Sequence, residues 1–179
     1  GGGNTSLITV ENGGLLRITA NGMALRSGPP APGAAANLNI IGAGSLADLT
    51  GGLAVAGNAA ASMANVAISD GGALRTTGAS LIGFATGNAV APTVTITGAG
   101  SNWTSTGTLA MTNGSFSLLG SGTASFTSAV FGSAASAPPS LLTSGPDSVF
   151  TTSGDLTVGS GSGTGVLTLA DGGRIAVSG

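Results

Sequence analysis

Apolar residues alternate with polar or small residues in many short runs along the chain. Ile8 and Val10 form one such pair, and the other pairs are Leu38/Ile40, Val66/Ile68, Val94/Ile96, Phe116/Leu118, Leu156/Val158, Leu167/Leu169 and Ile175/Val177. Alternation with a period of two predicts β-strands with one buried face and one solvent face. Gly, Ser and Thr crowd the segments between these runs and disfavour helices. The pattern therefore predicts an all-β protein.

Three segments share one frame of residues without a gap. Gly42–Leu53, Gly98–Leu109 and Gly145–Leu156 each begin with Gly, carry Ser three residues later, Gly nine residues later and Leu eleven residues later. Their starts are 56 and 47 residues apart (98−42 and 145−98). A repeat of this length in a chain without helical periodicity indicates a solenoid.

A second block also recurs, and it consists of a strand, a tight turn and another strand. Ile8–Arg17 carries Asn-Gly-Gly at the turn, whereas Val66–Arg75 and Leu167–Ile175 carry Asp-Gly-Gly. Taken alone, such a block could be an antiparallel hairpin. Because whole units recur in the same order with no crossover helix, a coiled parallel solenoid is favoured. Leu109–Phe116 is expected to join the end of a Gly-x-x-Ser segment to the start of such a turn block.

These repeats predict a single β-helix over residues 1–179, with units at about 1–36, 37–92, 93–140 and 141–179. The first and last units are partial, and we expect the chain to be a segment of a longer repeat array. Coils of about 20 residues would give two or three coils per unit and eight or nine in all.

Composition supports a solenoid and excludes several function classes. Charged residues make up 6% of the chain, and 34 of the 179 residues are Gly, so apolar side chains suffice only for a thin core. A mean hydropathy of +0.48 argues against disorder of the whole chain. The chain has no Cys, which excludes disulfides and thiolate metal sites. Its four cations are all Arg and the net charge is −2, which disfavours nucleic acid and anionic membranes as partners. No apolar run is long enough to span a bilayer.

Catalytic residues are scarce in this composition. The chain has no His and no Lys, so the usual proton acceptors of nucleophilic catalysis are missing. Among the six acids, Glu11, Asp70 and Asp171 lie at or next to the repeated turn, where Asp bonds to its own backbone. Asp147 and Asp155 remain as the pair that could serve glycoside hydrolysis. We therefore predict no catalytic, cofactor-binding or metal-binding residue.

Proline-containing loops are the first candidate interaction surface. Each precedes the strand that leads into a Gly-x-x-Ser segment, and this shared phase would place all three loops on one side of the solenoid. Pro cannot donate to a strand ladder, so these segments are expected to leave the sheet as bulging loops. The candidate residues are Pro29, Pro30, Pro32, Asn88, Pro92, Pro138 and Pro139.

Asn102 and Trp103 are the second candidate contact. Trp103 is the only Trp, and the repeat frame places it in one column with Ala47 and Phe150. An exposed Trp could stack on a sugar ring, whereas a buried Trp would fill the core. The aromatic residue in register favours packing. Asn102 and Trp103 nevertheless lie where the three copies differ, and that is where a particular function would be encoded.

The quoted repeats resemble a known family. Gly98–Thr104, Ser153–Gly159 and Leu167–Gly173 are similar to the repeat of autotransporter (type V secretion) passenger proteins and of some sorted, exopolysaccharide-associated surface proteins. The resemblance covers most of the chain from about Leu38 onward. It implies a right-handed parallel β-helix that is exported and held outside a Gram-negative bacterial cell.

The function expected from this resemblance is structural and non-enzymatic. An autotransporter-like passenger would contribute length, rigidity and contact surface through the Pro-Ala loops and the outward Thr and Ser faces. Its partners would be copies of itself, surface glycans, or host or matrix proteins, with no cofactor and no insertion of this segment into a membrane. Two alternatives remain open at this stage: a secreted subunit that polymerises into a fibre or sheath, and a glycan-degrading β-helix enzyme.

Overall fold

The computed structural model describes residues 5–26, 34–56, 63–83, 91–132, 137–159 and 163–179. These residues form twenty β-strands and no helix, and the strands follow one another in triplets. The first strands of the triplets are β1 (Thr5–Glu11), β4 (Ala35–Ile41), β7 (Met63–Ser69), β10 (Thr93–Thr97), β13 (Ser115–Leu119), β16 (Ser140–Ser144) and β19 (Val166–Ala170).

The other two strands of each triplet are shorter. The second strands are β2 (Leu15–Ile18), β5 (Leu46–Leu49), β8 (Ala73–Thr76), β11 (Asn102–Ser105), β14 (Thr123–Phe126), β17 (Val149–Thr152) and β20 (Arg174–Val177). The third strands are β3 (Met23–Arg26), β6 (Leu53–Ala56), β9 (Ser80–Ile82), β12 (Leu109–Met111), β15 (Ala129–Phe131) and β18 (Leu156–Val158). Each triplet is one coil, and the coils are numbered 1 to 7 in chain order.

Each position in the coil builds one parallel sheet. The first sheet contains the seven first strands in chain order, the second sheet the seven second strands, and the third sheet the six third strands. Every pairing between successive coils is parallel and in register, so the predicted parallel β-helix is confirmed and the hairpin alternative is wrong.

The predicted coil length and coil number are wrong. Thr5 pairs with Ala35, 30 residues later, and Thr93 pairs with Ser115, 22 residues later. The described residues thus form six complete coils and two strands of a seventh. The units predicted to start at residues 37, 93 and 141 start within β4, β10 and β16, which are the first strands of coils 2, 4 and 6. Each of these units therefore corresponds to two coils.

The core lies between the three sheets, where identical strand positions stack from coil to coil. Ile40, Ile68 and Ile96 occupy successive coils of one inward column, and each is fully buried. Alternation along each strand places the neighbouring residues on the outer face, as in the burial pattern of β10. Burial of each aliphatic side chain contributes about 1.5–3 kcal/mol, which compensates for the thinness of the core.

Two kinds of turn alternate between the first and second strands. Coils 2, 4 and 6 use the four-residue Gly-x-x-Ser turns Gly42–Ser45, Gly98–Ser101 and Gly145–Ser148, which contain the three repeated Ser residues. Coils 1, 3, 5 and 7 use the three-residue turns 12–14, 70–72, 120–122 and 171–173, which are here called Gly-Gly turns after their commonest sequence.

The Gly-Gly turns begin with two consecutive residues in the left-handed region. Asn12, Asp70 and Asp171 have φ of 55°, 55° and 50°, and the next residue is Gly in each case. Asn, Asp and Gly tolerate this conformation better than other residues, which explains their recurrence. The shared structural role predicted for these three residues is confirmed.

Both outer coils expose side chains that would be buried in the middle of the stack. Ile8 in coil 1 is 37% exposed, whereas its partner Leu38 is fully buried. Leu169 in coil 7 is 53% exposed, whereas its partner Thr143 is fully buried. In the part of the chain described, no helix has the length and hydropathy to cross a bilayer.

Candidate contact surface

The aromatic side chains form a cluster inside coils 4 to 6. The Trp103 ring centroid lies 5.8 Å from that of Phe116 in a stacked arrangement and 5.0 Å from that of Phe126 in an edge-to-face arrangement. Phe150 packs against Phe116, Phe126 and Phe131 at centroid distances of 5.7 to 6.0 Å. Such pairs add to the stabilisation from area burial alone.

Trp103 is therefore a core residue and cannot serve as a contact. Its side chain is 0% exposed, and its Nε1–H donates to Thr76 Oγ1 in the coil below at 3.1 Å. The column predicted for it is confirmed, since Ala47, Leu74, Trp103, Ala124 and Phe150 are successive partners in the second sheet. Ala124 is the partner of Trp103 in the coil above, and its small side chain leaves room for the indole.

Asn102 lies on the outer face and is half-buried. Its Nδ2 donates to the carbonyl oxygen of Gly100 at 2.9 Å, within the turn that precedes β11. This bond uses the side-chain amide to stabilise the turn. The structure therefore separates the two residues of the candidate contact, with Asn102 at the surface and Trp103 inside.

Two of the proline candidates belong to the sheet. Pro92 and Pro139 are buried and directly precede β10 and β16. Their carbonyl oxygens accept ladder bonds from Ser115 N at 3.0 Å and Val166 N at 2.9 Å. The prediction that these residues bulge away from the sheet is wrong, because a Pro just before a strand has no N–H to donate but its carbonyl oxygen can still accept a ladder bond.

Of the other candidate residues in the proline-containing loops, the structure describes one. Pro138 is exposed, at the corner between the third and first strands. Pro29, Pro30, Pro32 and Asn88 lie outside the described residues. In chain order, each proline-containing segment lies between a third strand and the next first strand.

The outer face of the first sheet presents a regular array of hydroxyl groups. In coils 4 to 6, seven of the nine outward positions on β10, β13 and β16 are Ser or Thr, and all nine are partly exposed. The two exceptions are Leu119 and Leu142. Glu11 in coil 1 is the only charged residue on the described strands of this sheet. The predicted outward placement of Thr and Ser is confirmed for this face.

A ladder of side-chain hydrogen bonds fixes part of this face. Asn65 Nδ2 donates to Asn37 Oδ1 at 2.9 Å, and Thr93 Oγ1 donates to Asn65 Oδ1 at 2.7 Å. These three residues lie in one outward column across coils 2 to 4. Because the bonds run from coil to coil, they hold the polar side chains in fixed orientations.

Four of the six charged side chains on the described strands lie instead on the second sheet. Arg17, Asp48 and Arg75 are partners in one outward column across coils 1 to 3, and Arg17 Nε bonds to Asp48 Oδ2 at 3.3 Å. The Arg17 side chain is mostly exposed, so this ion pair contributes at most about 1 kcal/mol. The outer faces of the first and second sheets therefore differ in charge.

A shallow groove lies on the outer face of the third sheet in coils 1 to 3. It has a volume of about 330 Å³, near the lower limit for ligand sites, and no aromatic side chain lines it. The residues that line it are Asn21, Gly22, Met23, Ala24, Arg26, Gly52, Ala54, Ala79 and Leu81. With Arg26 as its one charged residue, the groove lacks convergent polar groups that would orient a small molecule.

A whole strand separates the two acids that were considered for glycoside hydrolysis. Asp147 and Asp155 are exposed at opposite ends of β17, and this four-residue strand alone spans about 10 Å. Glycosidase carboxylates lie about 5–9.5 Å apart. Asp171 accepts a hydrogen bond from Ser144 Oγ in coil 6 at 2.8 Å, which differs from the bond to its own backbone that was predicted for the turn. The described residues contain no group of three or more potential metal ligands.

Sequence reasoning missed the role of the repeated serines. Ser45, Ser101 and Ser148 are buried, and their Oγ atoms accept hydrogen bonds from the amides of Gly13, Gly71 and Ser121 in the preceding coils at 3.2, 3.0 and 3.0 Å. Their recurrence at a fixed distance from Gly was a signal of this role.

No family model, curated protein or solved structure gives a match to this chain.

Proposed function

We propose that this chain is a structural, non-enzymatic β-solenoid of the bacterial cell surface, and that it contributes to adhesion through self-association of the outer face of its first sheet. The observation that carries this proposal is the uncharged hydroxyl array of coils 4 to 6. Neighbouring faces of this kind can approach without burying charge, because seven of nine outward side chains are small and neutral.

Rigidity of the rod supports a structural role. Seven coils stacked at about 4.8 Å form a rod about 30 Å long, and backbone ladders join each coil to the next. The Asn and Thr side-chain ladder adds bonds in the same direction. A surface whose side chains are already ordered loses less conformational entropy when it binds.

The resemblance to autotransporter passengers supports the cellular context. Those proteins are exported and displayed outside the cell, where adhesion and self-association are common roles. A low charge, a lack of Cys and a lack of aligned acids are all compatible with such a passenger. Secretion and attachment to the outer membrane are part of the proposal on this basis.

Clustering of coated beads tests the proposed surface. Beads that carry the wild-type chain are expected to cluster, and Thr95→Glu combined with Ser117→Glu is expected to abolish clustering. These two residues are direct partners in the first sheet, so the variant places adjacent negative charges on the proposed face. Like charges facing each other across an interface are strongly unfavourable.

Thr104→Glu combined with Ser125→Glu provides the matched control. These residues are direct partners on the outer face of the second sheet, and the change in charge is the same. This variant should cluster like the wild type. Wild-type beads that stay dispersed, or two variants that lose clustering equally, contradict the proposal.

A further inference from the structure

Acidic residues lie along one edge of the first sheet. Four of the six acids occur at the corner between the first and second strands, and all four are exposed: Glu11, Asp70, Asp147 and Asp171. The turns at this corner contain no Arg in any of the seven described coils. This edge, here called the acidic edge, therefore carries only negative charge.

Two of these acids contact the outer face of the first sheet. Ser69 Oγ donates to Asp70 Oδ2 at 3.2 Å, and Ser144 Oγ donates to Asp171 Oδ2 at 2.8 Å. Both serines belong to the outward column that borders the acidic edge. Asp70 lies in coil 3 and Asp171 in coil 7, so each carboxylate is two coils away from coil 5, the centre of the hydroxyl array.

The opposite edge of the first sheet has no charge in its connecting segments. The first strands begin at this edge, where the chain arrives from the third strands. The connecting segments are 27–34, 57–62, 83–92, 112–114, 132–139 and 159–165, and none of their sequences contains a charged residue. The two edges of the first sheet therefore differ in charge, and only the acidic edge can repel its counterpart in another copy.

Two arrangements with two-fold symmetry bring the hydroxyl arrays of two copies face to face. In the antiparallel arrangement the coil order of one copy is reversed, so coil 3 faces coil 7 and the acidic edges face each other. Asp70 of each copy then lies opposite Asp171 of the other. In the parallel arrangement each coil faces the same coil of the other copy, and each acidic edge faces the uncharged connecting segments.

We propose that two copies of this chain pair through their first sheets in the parallel arrangement, because Asp70 and Asp171 exclude the antiparallel one. Like charges that face each other across an interface oppose binding and thereby select the orientation. The antiparallel pair contains two such contacts, whereas the parallel pair contains none between these acids. The inference rests on the self-association proposed above and adds the relative direction of the two rods.

Cysteine crosslinking measures the arrangement, because the chain has no Cys of its own. Ala67, Ser117 and Thr168 lie in the central outward column of the first sheet, in coils 3, 5 and 7. Each is replaced by Cys in a separate variant, and a bismaleimide that spans about 10 Å matches the usual separation of packed sheets. In the antiparallel pair Thr168 faces Ala67, and the two copies of Thr168 are about 19 Å apart along the stack.

The three Cys variants separate the direction of pairing from the pairing itself. Ser117→Cys faces its own copy in both arrangements and therefore tests the self-association alone. An equimolar mixture of Thr168→Cys and Ala67→Cys, one of them carrying a mass tag, reports the direction. The parallel pair gives like dimers, and the antiparallel pair gives mixed dimers. At about 10 mM salt, where screening is weak, like dimers should exceed mixed dimers about five- to tenfold.

Asp171→Asn, introduced into both Cys variants of the mixture, removes both acid contacts of the antiparallel pair and should reduce this ratio about threefold or more. Asn fits the turn, since Asn12 occupies the equivalent position with φ of 55°. Asp155→Asn is the matched control, because Asp155 is exposed outside the acidic edge, and it should leave the ratio unchanged. An excess of mixed dimers, neither kind of dimer despite crosslinking by Ser117→Cys, or equal effects of the two Asn variants would overturn the inference. A lack of crosslinking by Ser117→Cys would instead contradict the self-association on which the inference rests.

Discussion

The Oγ of Ser101 accepts a hydrogen bond from the amide of Gly71 in the coil below, at 3.0 Å, and Ser101 is completely buried. The equivalent serine in coil 6, Ser148, also donates to the carbonyl oxygen of Ser144 in its own coil at 2.7 Å. One hydroxyl therefore satisfies a donor in one coil and an acceptor in the next. The repeating unit of this solenoid is a pair of coils joined by a buried serine.

Removal of that hydroxyl should destabilise the protein. Ser101→Ala leaves the Gly71 amide buried without an acceptor, and we expect a loss of about 1–3 kcal/mol in the free energy of unfolding. Denaturant unfolding measures the change. Ser125→Ala is the control, because Ser125 lies on the outer face, and its effect should stay within about 0.5 kcal/mol. Equal effects of the two changes would refute the structural role of Ser101.

The last residue of a Gly-Gly turn should not tolerate a side chain. A Cβ at Gly72 would lie 2.5 Å from the carbonyl oxygen of Ile40 in the coil below, so Gly72→Ala forces the two coils apart. We expect a loss of about 3 kcal/mol. Gly42→Ala is the matched comparison, since a Cβ there meets nothing within 4 Å and only the φ of 90° opposes it.

That comparison separates steric contact from backbone strain. The strain at Gly42 should cost about 1–2 kcal/mol, which is less than the contact at Gly72. Thermal unfolding of both variants gives the order of the two costs. A Gly42 variant that is the less stable of the two would contradict the close approach of coils 2 and 3.

Trp103 provides a direct optical test of the buried aromatic cluster. As the only Trp, it should show blue-shifted emission that iodide does not quench in the native state. Trp103→Ala should cost about 3–5 kcal/mol because it opens a cavity between Phe116 and Phe126. Efficient quenching of the native protein would restore Trp103 as a surface contact.

Two buried threonine hydroxyl groups are expected to lower the free energy of unfolding of the protein. Thr143 and Thr152 are fully buried in coil 6, and neither Oγ1 has a hydrogen-bond partner in the described structure. Thr143→Val and Thr152→Val replace each hydroxyl with a methyl group of similar size. Each should raise the free energy of unfolding by about 1–3 kcal/mol.

Thr95→Val serves as the control for both valine variants. Thr95 carries the same side chain on the outer face of the first sheet, so its change should be nearly neutral. Denaturation midpoints of the three variants are the data required. A buried variant that is less stable than the wild type would show that its hydroxyl is bonded in solution.

Much of the fold could be predicted because the repeats report backbone geometry. Asn12 and Asp70 were equated from their Gly-Gly neighbours, and both adopt the same left-handed conformation. The column of Ala47, Trp103 and Phe150 followed from the fixed distance to the Gly-x-x-Ser frame. These features depend on local chemistry, which a single sequence displays.

The number of coils could not be predicted from the sequence because two different turns, the Gly-x-x-Ser turn and the Gly-Gly turn, occupy the same corner in alternate coils. Asn113-Gly114 resembles the Asn12-Gly13 turn, but it lies before a first strand, between β12 and β13, and not after one. The prediction that Leu109–Phe116 begins a turn block is therefore wrong. The true equivalent in coil 5 is the turn 120–122, whose Ser121 breaks the Gly-Gly pattern.

The candidate contacts were harder to predict than the fold. Pro92 and Pro139 looked like loop residues, yet both have buried rings and carbonyls that join the ladder. A single sequence does not show on which side of a strand boundary a Pro lies. The outward hydroxyls were easier to place, because alternation along β10 assigns Thr93, Thr95 and Thr97 to one face.

Hydrogen exchange of the unmodified chain tests the coil-pair architecture most directly. The amides of Gly71 and Ser121 are bonded to buried serines in the next coil, whereas Gly172 occupies the same turn position in coil 7, the last coil described. We predict strong and similar protection at Gly71 and Ser121 and fast exchange at Gly172. Fast exchange at Gly71 and Ser121, or protection of Gly172 equal to theirs, would contradict the account.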